Sequence, residues 1–415
     1  MVKISLPTAR KIVISLFLFL VTFALGYKIG YSGLRIEPLT GSSTPKVTVS
    51  RTVPVRNLDF SLFWQVWDTI NSSYYDKSKV QPANLVYGAI KGMVSAVGDP
   101  YTLFLPPSDN KISQEDLQGN FSGVGIQIGY KGTNLAVMSP LPGTPAEKAG
   151  LKGGDLIVAI KDDNKKINKS TTDMTLPEAV EAIRGEAGTK ITLAILRTGT
   201  DKPFTVDLVR EKINVPSVSV SYVGDNESIA QIKLFKFGGE TTTEWQKAVS
   251  QINSKNVKGI ILDLRNNPGG YLQAAVDLAG EFLPRGSVAV IEDKGGNDKT
   301  PYNTTKDTGA FLNAKVVVLV NGGSASASEI LAGALRDDRK ISLIGEKTFG
   351  KGTIQEPQDL PGGSGLHITI AKWLTPNGTW VNEKGLDPDI EVKEDPNSKD
   401  DVQLQKAIEV LKSQF

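Results

Sequence analysis

The sequence contains no cysteine, and its 415 residues include a single histidine, His367. A chain without cysteine has no thiol nucleophile, no disulfide and no thiolate ligand for a metal ion. It also has no HExxH pattern, which would bring two histidines to one helix face for zinc. His367 lies in GLHITIAKW, an alternating pattern in which a histidine is usually a packing or surface residue of a strand. We therefore expect no metal ion and no cofactor, and a Ser-His-Asp site is disfavoured.

Excess charge of either sign is also missing, because 47 basic and 45 acidic residues give a formal net charge of +2. No basic stripe is interleaved with aromatic residues, as a nucleic-acid-binding surface would require. We therefore expect no nucleic-acid partner. With 415 residues and 40% hydrophobic residues, the chain exceeds a single core and predicts two or three globular domains.

The most informative segment of the chain, residues 316–329, reads VVVLVNGGSASASE. Its β-branched run predicts a buried strand that ends at two glycines, and small hydroxyl residues then open a helical pattern. This order places backbone N–H groups and the positive end of a helix dipole around Ser324, Ser326 and Ser328. Such a helix start stabilises a nucleophilic oxygen or the oxyanion that it creates. Serine is also a common N-cap, so the segment taken alone is more typical of a structural helix start.

A second segment, residues 345–355, reads GEKTFGKGTIQ and places Lys351 between two glycines. The glycines permit close backbone approach and burial, and a buried lysine with a lowered pKa can act as a general base. Without a thiol or a suitable histidine, serine with lysine is the leading pair for nucleophilic catalysis.

The segment GEKTFGKGTIQ is also one residue short of a nucleotide-binding P-loop. Gly352 stands where Ser or Thr would hold Mg²⁺, and no helical pattern follows.

Together, VNGGSASASEILAGALRD and GEKTFGKGTIQ resemble the carboxyl-terminal processing proteases, which are tail-specific serine peptidases with a PDZ domain. The resemblance extends from about residue 60 to the C-terminus. It implies that Ser326 is the nucleophile, Lys351 the general base, and Gln355 a polar partner that orients the lysine amine. Asp337 matches an acidic position of the family with a less direct role.

The segment IILDLRNNPGGYL at residues 260–272 also resembles this family. It predicts a buried strand, a polar turn with two glycines and then a helix. The resemblance implies that the turn at Gly269 and Gly270 supplies one N–H of an oxyanion hole, and that Ala327 supplies the other. Taken alone the turn is typical of an ordinary strand-to-helix connection. Its pairing with the serine segment favours the functional interpretation.

Residues 113–209 resemble a PDZ domain, with a glycine-rich loop in NFSGVGIQIGY and a helix in LPEAVEAIR. N–H groups of such a loop bind a terminal carboxylate, and the strand edge adds the peptide by β-augmentation. The last apolar side chain of the peptide is expected to lie between Val124 and Ile126. Arg184 is expected to pair with a substrate carboxylate or a catalytic-domain acid, or to be a helix-end cation. The predicted peptide-binding residues are Gly123, Val124, Gly125, Ile126 and Arg184.

The N-terminus predicts a membrane segment. Lys3, Arg10 and Lys11 precede Ile12–Tyr31, an apolar stretch interrupted only by Lys28. About 20 apolar residues span a bilayer, and basic residues before the segment predict a cytoplasmic N-terminus with the remainder exported. A cleaved signal peptide is the alternative, but no A-x-A site follows FALG. We expect a single-pass protein whose catalytic part lies in the periplasm or at the cell exterior.

The fold expected for the whole chain is multidomain α/β. By resemblance, a crotonase/Clp-like αβ catalytic core carries an inserted β-rich PDZ domain, an N-terminal helical segment and a membrane anchor. The last amphipathic helix has a face suited to a partner subunit, so a homodimer is a further expectation. The predicted boundaries are 1–34 for the cytoplasmic stub and anchor or signal, 35–55 for a linker, 56–112 for the helical segment, 113–209 for the PDZ domain, 210–395 for the catalytic domain and 396–415 for the C-terminal helix.

Three functions from different classes fit these patterns. The first is a membrane-anchored endopeptidase that recognises free apolar C-termini of protein substrates. The second is a catalytically inactive PDZ scaffold, which the presence of Ser326, Lys351 and Gln355 disfavours. The third is an acyl-CoA enzyme of the crotonase type, which the PDZ pattern and the export segment disfavour. The sequence therefore favours the peptidase.

Overall fold

The computed structural model describes residues 59–172, 174–296, 298–394 and 400–415. The predicted membrane segment and linker lie outside these ranges. Within them, no helix has the length and apolar character needed to cross a bilayer. The same residues contain no group of three or more acidic or histidine side chains arranged to hold a metal ion.

The described chain contains both helices and strands, with several strands in succession before α6 and after α8. The helices are α1 (Ser61–Ser73), α2 (Pro82–Ser95), α3 (Pro107–Gln118), α4 (Pro145–Lys148), α5 (Leu176–Ile183), α6 (Thr241–Asn253), α7 (Leu272–Ala279), α8 (Ala327–Arg339) and α9 (Val402–Lys412). The strands are β1 (Leu103–Leu105), β2 (Asn120–Gly123), β3 (Ile126–Lys131), β4 (Asn134–Pro140), β5 (Leu156–Asp162), β6 (Ile167–Ser170), β7 (Lys190–Leu196), β8 (Phe204–Val209), β9 (Glu211–Asn214), β10 (Val218–Val223), β11 (Ile229–Leu234), β12 (Gly259–Asp263), β13 (Val288–Asp293), β14 (Lys299–Asn303), β15 (Lys315–Val320), β16 (Leu343–Gly345), β17 (Thr353–Asp359), β18 (Gly365–Leu374) and β19 (Ile390–Glu391).

The catalytic region is built on a six-stranded sheet in the order β10-β11-β12-β15-β16-β19. The strands from β11 to β19 are parallel, and β10 is an antiparallel edge. The five apolar residues that follow Lys315 in β15 are all buried, as expected for a parallel strand covered on both faces. Alternate residues of the sheet pack into two clusters, one with α7 and α8 and the other with α9. The sheet therefore delivers the end of β15 and the start of α8 to one edge.

The C-terminal helix α9 packs on this sheet within its own chain. Ala407 and Leu411 contact the cluster that contains Ile261 and Leu319. The amphipathic pattern predicted an apolar face correctly, but the surface that covers this face is the chain's own sheet, not a partner subunit.

A second sheet carries residues 353–374 and connects them with the N-terminal segment. Its order is β1-β18-β13-β14, and β17 also pairs with β18, along residues 365–372. Leu103 of β1 lies opposite His367 of β18 in an antiparallel register. The segment predicted as helical therefore also contributes a strand to the catalytic region.

The inserted domain has its own antiparallel sheet in the order β3-β4-β5-β7-β8, with β6 beside β5. Its core contains Val137, Ile160 and Leu193, and α5 supplies Ala179 and Ile183 to it. The chain enters and leaves this domain through β2 and β9, which pair with each other. The loop after β2 and helix α5 thus lie close to the catalytic region.

Candidate active site

Ser326 lies at a strained turn between β15 and α8. Its backbone angles are φ 55° and ψ −116°, and it immediately precedes the first residue of the helix. A residue other than glycine with positive φ costs about 1–3 kcal/mol, and such strain is concentrated at functional sites. A sharp strand-to-helix turn is also the geometry that exposes the nucleophile of α/β hydrolases. Ser326 opens onto a large cavity.

The two neighbouring serines hold this turn in place. Ser324 Oγ donates to Leu264 O at 2.8 Å, and Ser328 Oγ donates to Asn267 O at 2.9 Å. Both residues are 0% exposed, and neither lines the cavity. Of the three serines, Ser326 is thus the one positioned to meet a substrate.

The Gly269–Gly270 turn packs directly against the serine turn. A Cβ on Gly269 would lie 2.7 Å from Ala325 O and 2.9 Å from Ser326 Cβ, so only glycine fits. The Gly269 N–H donates to the Asn267 side chain at 2.9 Å. Within the described residues the N–H groups of Gly270 and Ala327 have no hydrogen-bond acceptor. This geometry favours Gly270 over Gly269 as the oxyanion donor of the turn.

The backbone of Lys351 is fixed by two tryptophans. Trp373 Nε1 donates to Lys351 O at 2.8 Å, and Trp380 Nε1 donates to Gly352 O at 2.9 Å. A Cβ on Gly350 or on Gly352 would stand 2.8 Å or 2.7 Å from a neighbouring backbone nitrogen. The prediction that the flanking glycines allow close approach is confirmed. Residue 353 begins strand β17, so the helix that a P-loop requires is absent.

Glu329 joins the serine turn to the lysine loop, and sequence reasoning did not identify it. Its carboxylate is 0% exposed. One oxygen accepts from the N–H groups of Ser326 at 2.8 Å and Lys351 at 3.0 Å. The other accepts from Gly350 N at 2.7 Å and the Thr348 hydroxyl at 2.6 Å. The available signal was the S-x-x-E spacing at residues 326–329, which indicates a glutamate bonded to an N-cap N–H.

The lysine amine is desolvated but is not hydrogen-bonded to the serine. Burial lowers the pKa of Lys351, and the negative charges of Asp99 and Glu329 raise it only in part. Lys351 Nζ lies 5.1 Å from the ring centroid of Tyr101. In the described part of the chain, no hydrogen bond joins Lys351 Nζ to Ser326 Oγ or to Gln355.

The expected contact between Gln355 and the lysine amine is not formed. Gln355 Nε2 donates instead to the hydroxyls of Thr353 at 2.8 Å and Thr369 at 3.1 Å. Its side chain still lines the cavity with Lys351. The role implied by resemblance would require the amide to leave these two threonines.

A cavity of about 990 Å³ brings the predicted catalytic residues together. It is lined by Ser326, Lys351, Gln355 and both glycines of the turn, and by Arg184 of the inserted domain. His367 also lines it, and burial with the charge of Lys351 lowers the pKa of this histidine. Asp337 lies elsewhere, where its carboxylate accepts from Asn377 N at 3.0 Å.

Comparison with known proteins places this constellation in a family. Family models match the chain for Peptidase family S41 at residues 228–392, for a PDZ domain at 137–197 and for the Activating protease CtpB N-terminal domain at 30–107. The carboxy-terminal processing protease CtpA of Bacillus subtilis is 34% identical over 356 residues, which cover 86% of this chain and 73% of CtpA. The chain belongs to the carboxy-terminal processing proteases of peptidase family S41. CtpB of the same organism is 33% identical over 332 residues, covering 80% of this chain and 67% of CtpB.

Membership in this family confirms the predicted resemblance and the enzyme class. The protein is a serine-type peptidase with a PDZ domain. An S41 protease structure from Bacteroides fragilis has a TM-score of 0.55 at 17% identity, covering 88% of this chain and 100% of that one. This likeness supports the mixed α/β fold of the peptidase.

The PDZ domain of the peptidase has a small cavity of about 160 Å³ between the loop after β2 and helix α5. The four predicted loop residues line it. Gly125 has φ +77°, and a Cβ there would lie 2.3 Å from Thr144 Cβ. Val124 is 1% exposed, so most of its side chain belongs to the domain core. The cavity is lined by Phe121, Gly123, Val124, Gly125, Ile126, Ile128, Leu176, Val180, Ile183 and Arg184.

Arg184 follows the last residue of α5 and lines both cavities. Its guanidinium pairs with Glu115 at 3.2 Å and Asp116 at 2.8 Å, and it lies 4.4 Å from the ring centroid of Phe121. Both acids belong to α3, which crosses the predicted boundary at residue 113 and precedes the sheet of the PDZ domain. None of the three expected roles included these partners, because the sequence gives no sign that α3 packs beside α5.

Proposed function

We propose that the protein hydrolyses peptide bonds with Ser326 as nucleophile and Lys351 as general base. The observation that carries the proposal is the pairing of a strained, cavity-facing serine with a desolvated lysine across one cavity. Their backbones are joined through the Glu329 carboxylate. One buried carboxylate therefore holds the backbones of both residues, and the hydrogen bond between nucleophile and base that the mechanism requires is made by movement of the side chains.

In this mechanism the neutral amine of Lys351 accepts the proton of Ser326 Oγ as the oxygen attacks the substrate carbonyl. The N–H groups of Gly270 and Ala327 donate to the developing oxyanion, where preorganised donors are worth several kcal/mol. The lysine ammonium then gives its proton to the leaving amine, and water hydrolyses the acyl-enzyme. Because no hydrogen bond joins the two side chains at rest, the lysine must first rotate toward the serine. Gln355 would orient the rotated amine after leaving Thr353 and Thr369.

The PDZ domain is proposed to bind the free, apolar C-terminus of a protein substrate. Its support is the glycine-rich loop at residues 123–126, which faces the small apolar cavity beside α5. Loop N–H groups suit a carboxylate, and the groove beside β3 suits an added strand. Arg184 lines both this cavity and the larger one. It is therefore proposed to couple peptide binding in the groove to the active-site cavity.

We further propose that residues 12–31 anchor the protein and that the peptidase lies outside the cytoplasm. The support is the basic N-terminus before an apolar stretch. Protease accessibility in intact cells, with a cytoplasmic marker as control, tests this location.

A homodimer is proposed from the exposed apolar residues of α1 and α2, which include Leu62, Val66 and Met93. Sedimentation of the purified protein tests it.

The proposed function is tested with the purified full-length protein and unstructured peptides that differ only at their C-termini. Products are identified by mass. Ser326→Ala is expected to be inactive, whereas Ser324→Ala, which changes a buried neighbouring hydroxyl, is expected to retain cleavage. Cleavage by Ser326→Ala at the wild-type rate would contradict the assignment of the nucleophile.

A further inference from the structure

The turn before β1, residues 98–102, carries a carboxylate that the catalytic assignment does not use. Asp99 Oδ1 accepts from Tyr101 N at 3.0 Å, and its Oδ2 accepts from the Thr102 hydroxyl at 2.6 Å. The Thr102 hydroxyl in turn accepts from Thr369 N of β18 at 3.1 Å. The carboxylate is therefore fixed relative to the strand that lines the active-site cavity.

The charges around the lysine amine come from three directions. Asp99 and Tyr101 face it from the turn before β1, Glu329 from α8 and His367 from β18. Glu329 is occupied by its four hydrogen bonds, none of which comes from the lysine amine. Among the described residues no ion pair joins Lys351 Nζ to Glu329 or to Asp99. Asp99 instead accepts from Tyr101 N, and the Tyr101 ring lies beside the amine.

The lysine amine rests beside the Tyr101 ring. Lys351 Nζ lies 5.1 Å from the Tyr101 ring centroid, where the π-face attracts a cation. The predicted orienting residue, Gln355, donates to Thr369 and not to the amine. Tyr101, whose ring lies beside the amine, thus belongs to the N-terminal segment, outside the residues that match the peptidase family model.

We propose that Asp99 is a positioning residue for Lys351: its carboxylate, bonded to the Tyr101 N–H and the Thr102 hydroxyl, fixes the turn that holds the Tyr101 ring beside the lysine amine in the cavity that contains Ser326. The inference rests on the proposed role of Lys351 as general base. It makes the turn before β1 a part of the active site. The segment then has a role in chemistry as well as in packing.

The direction in which Asp99→Asn shifts the pH dependence follows from the charges near Lys351. Burial lowers the pKa of Lys351, and the negative charge of Asp99 opposes this effect. Burial by itself would raise the pKa of Asp99, but hydrogen bonds from Thr102, Thr369 and Tyr101 and the charge of Lys351 lower it, so the carboxylate is ionised near neutral pH. Removing the Asp99 charge removes part of the effect that raises the pKa of Lys351, so the lowering by burial is greater. The pKa of Lys351 then falls further, and the neutral amine is present at lower pH.

The test measures the rate at which a fluorophosphonate labels Ser326 as a function of pH, because this rate does not depend on PDZ recognition. In Asp99→Asn the rising limb is expected at lower pH than in the wild type. Its plateau is expected about tenfold to a hundredfold lower, since the amine is misplaced. Thr102→Val, which frees the carboxylate but keeps its charge, is expected to lower the plateau with little movement of the limb. Asp307→Asn, which neutralises an exposed carboxylate outside the cavity lining, is the control and is expected to match the wild type.

An Asp99→Asn limb at the wild-type pH, or a plateau equal to or above that of the wild type, would overturn the inference. If Asp99→Asn melts well below the wild type, Thr102→Val carries the decision through its plateau. Failure of the proposed function gives a different result, because Lys351→Ala would then label at the wild-type rate. An inactive Lys351→Ala together with an unaffected Asp99→Asn refutes the positioning role alone.

Discussion

Replacing Glu329 by glutamine tests the contact that joins the serine turn to the lysine loop. The buried carboxylate accepts four hydrogen bonds, from the N–H groups of Ser326, Gly350 and Lys351 and from the Thr348 hydroxyl. A glutamine amide has one oxygen and one NH₂ group, so it cannot accept on both sides. The substitution therefore keeps the volume and removes half of the acceptor capacity.

The expected loss of stability is worked out for the more favourable of the two orientations of the glutamine amide. With the NH₂ group toward Thr348, the hydroxyl can rotate to accept from it, and only the Gly350 N–H loses its partner. A buried donor without a partner costs about 1–3 kcal/mol, and the contacts to Ser326 and Lys351 each lose about 1 kcal/mol with the charge of their acceptor. We expect the free energy of unfolding to fall by about 3–5 kcal/mol.

Two assays check this expectation. Urea unfolding followed by tryptophan fluorescence should show a lower midpoint at an unchanged slope. The pH dependence of cleavage should show a rising limb at lower pH, because the Glu329 charge raises the pKa of Lys351 and the amide does not. The rate per folded molecule should also fall, since a displacement of about 1 Å costs on the order of a hundredfold.

A second buried glutamate supplies the control. Glu281 is 3% exposed, pairs with Lys306 and accepts from Ala310 N at 2.9 Å. Glu281→Gln should also lower stability, yet leave the pH limb in place, because it does not face Lys351. If Glu329→Gln unfolds at the wild-type midpoint and keeps the wild-type limb, the carboxylate does not hold the two loops together.

Three further outcomes are expected. Ser326→Ala and Lys351→Ala should each abolish cleavage, and the double variant should lose nothing more, because nucleophile and base act as a unit; additive losses in peptide cleavage would contradict this. The wild-type rate should rise with pH through the lowered pKa of Lys351 and then level off, whereas Lys351→Arg should be inactive at every pH because guanidinium does not deprotonate. Amidating a substrate's C-terminus should weaken its binding about tenfold to a hundredfold in a competition assay, since charge-assisted contacts are lost; equal affinity would argue against C-terminal recognition.

Local patterns predicted the two segments that contain the proposed nucleophile and general base. The β-branched run before residue 321 and the small residues after it indicate a strand, a turn and a helix, and these elements form as β15 and α8. The glycines beside Lys351 indicate close backbone approach, which the structure has. The strand, turn and helix depend on neighbours within a few residues, so periodicity and side-chain size were enough to find them. The glycines indicated that something packs closely there, but not that residues 380–385 are the segment that does so.

The contacts that hold the site depend on distant pairings, which local patterns do not encode. The Tyr101 ring lies beside Lys351 Nζ because strand β1, which follows it, pairs with β18 with Leu103 opposite His367. Arg184 meets Glu115 only because α3 packs beside the PDZ helix. The positions of these residues were readable from the sequence, but the identity of their partners required the tertiary structure.

The resting position of Lys351 leads to a last prediction. Its backbone is fixed by the Trp373 indole and the Glu329 carboxylate, so any approach to Ser326 must come from rotation of the side chain. In a structure of the phosphonylated enzyme, Lys351 Nζ should lie within hydrogen-bonding distance of Ser326 Oγ, about 2.6–3.2 Å. The Cα of Lys351 should move by less than about 1 Å, as in preorganised sites. Trp373→Phe removes the indole donor and is the matched variant, in which a larger backbone displacement is expected. If the wild-type loop moves as a whole and the lysine rotamer is unchanged, the site is assembled by backbone rearrangement. The hydrogen bonds from Trp373 and to Glu329 would then not fix the backbone of Lys351.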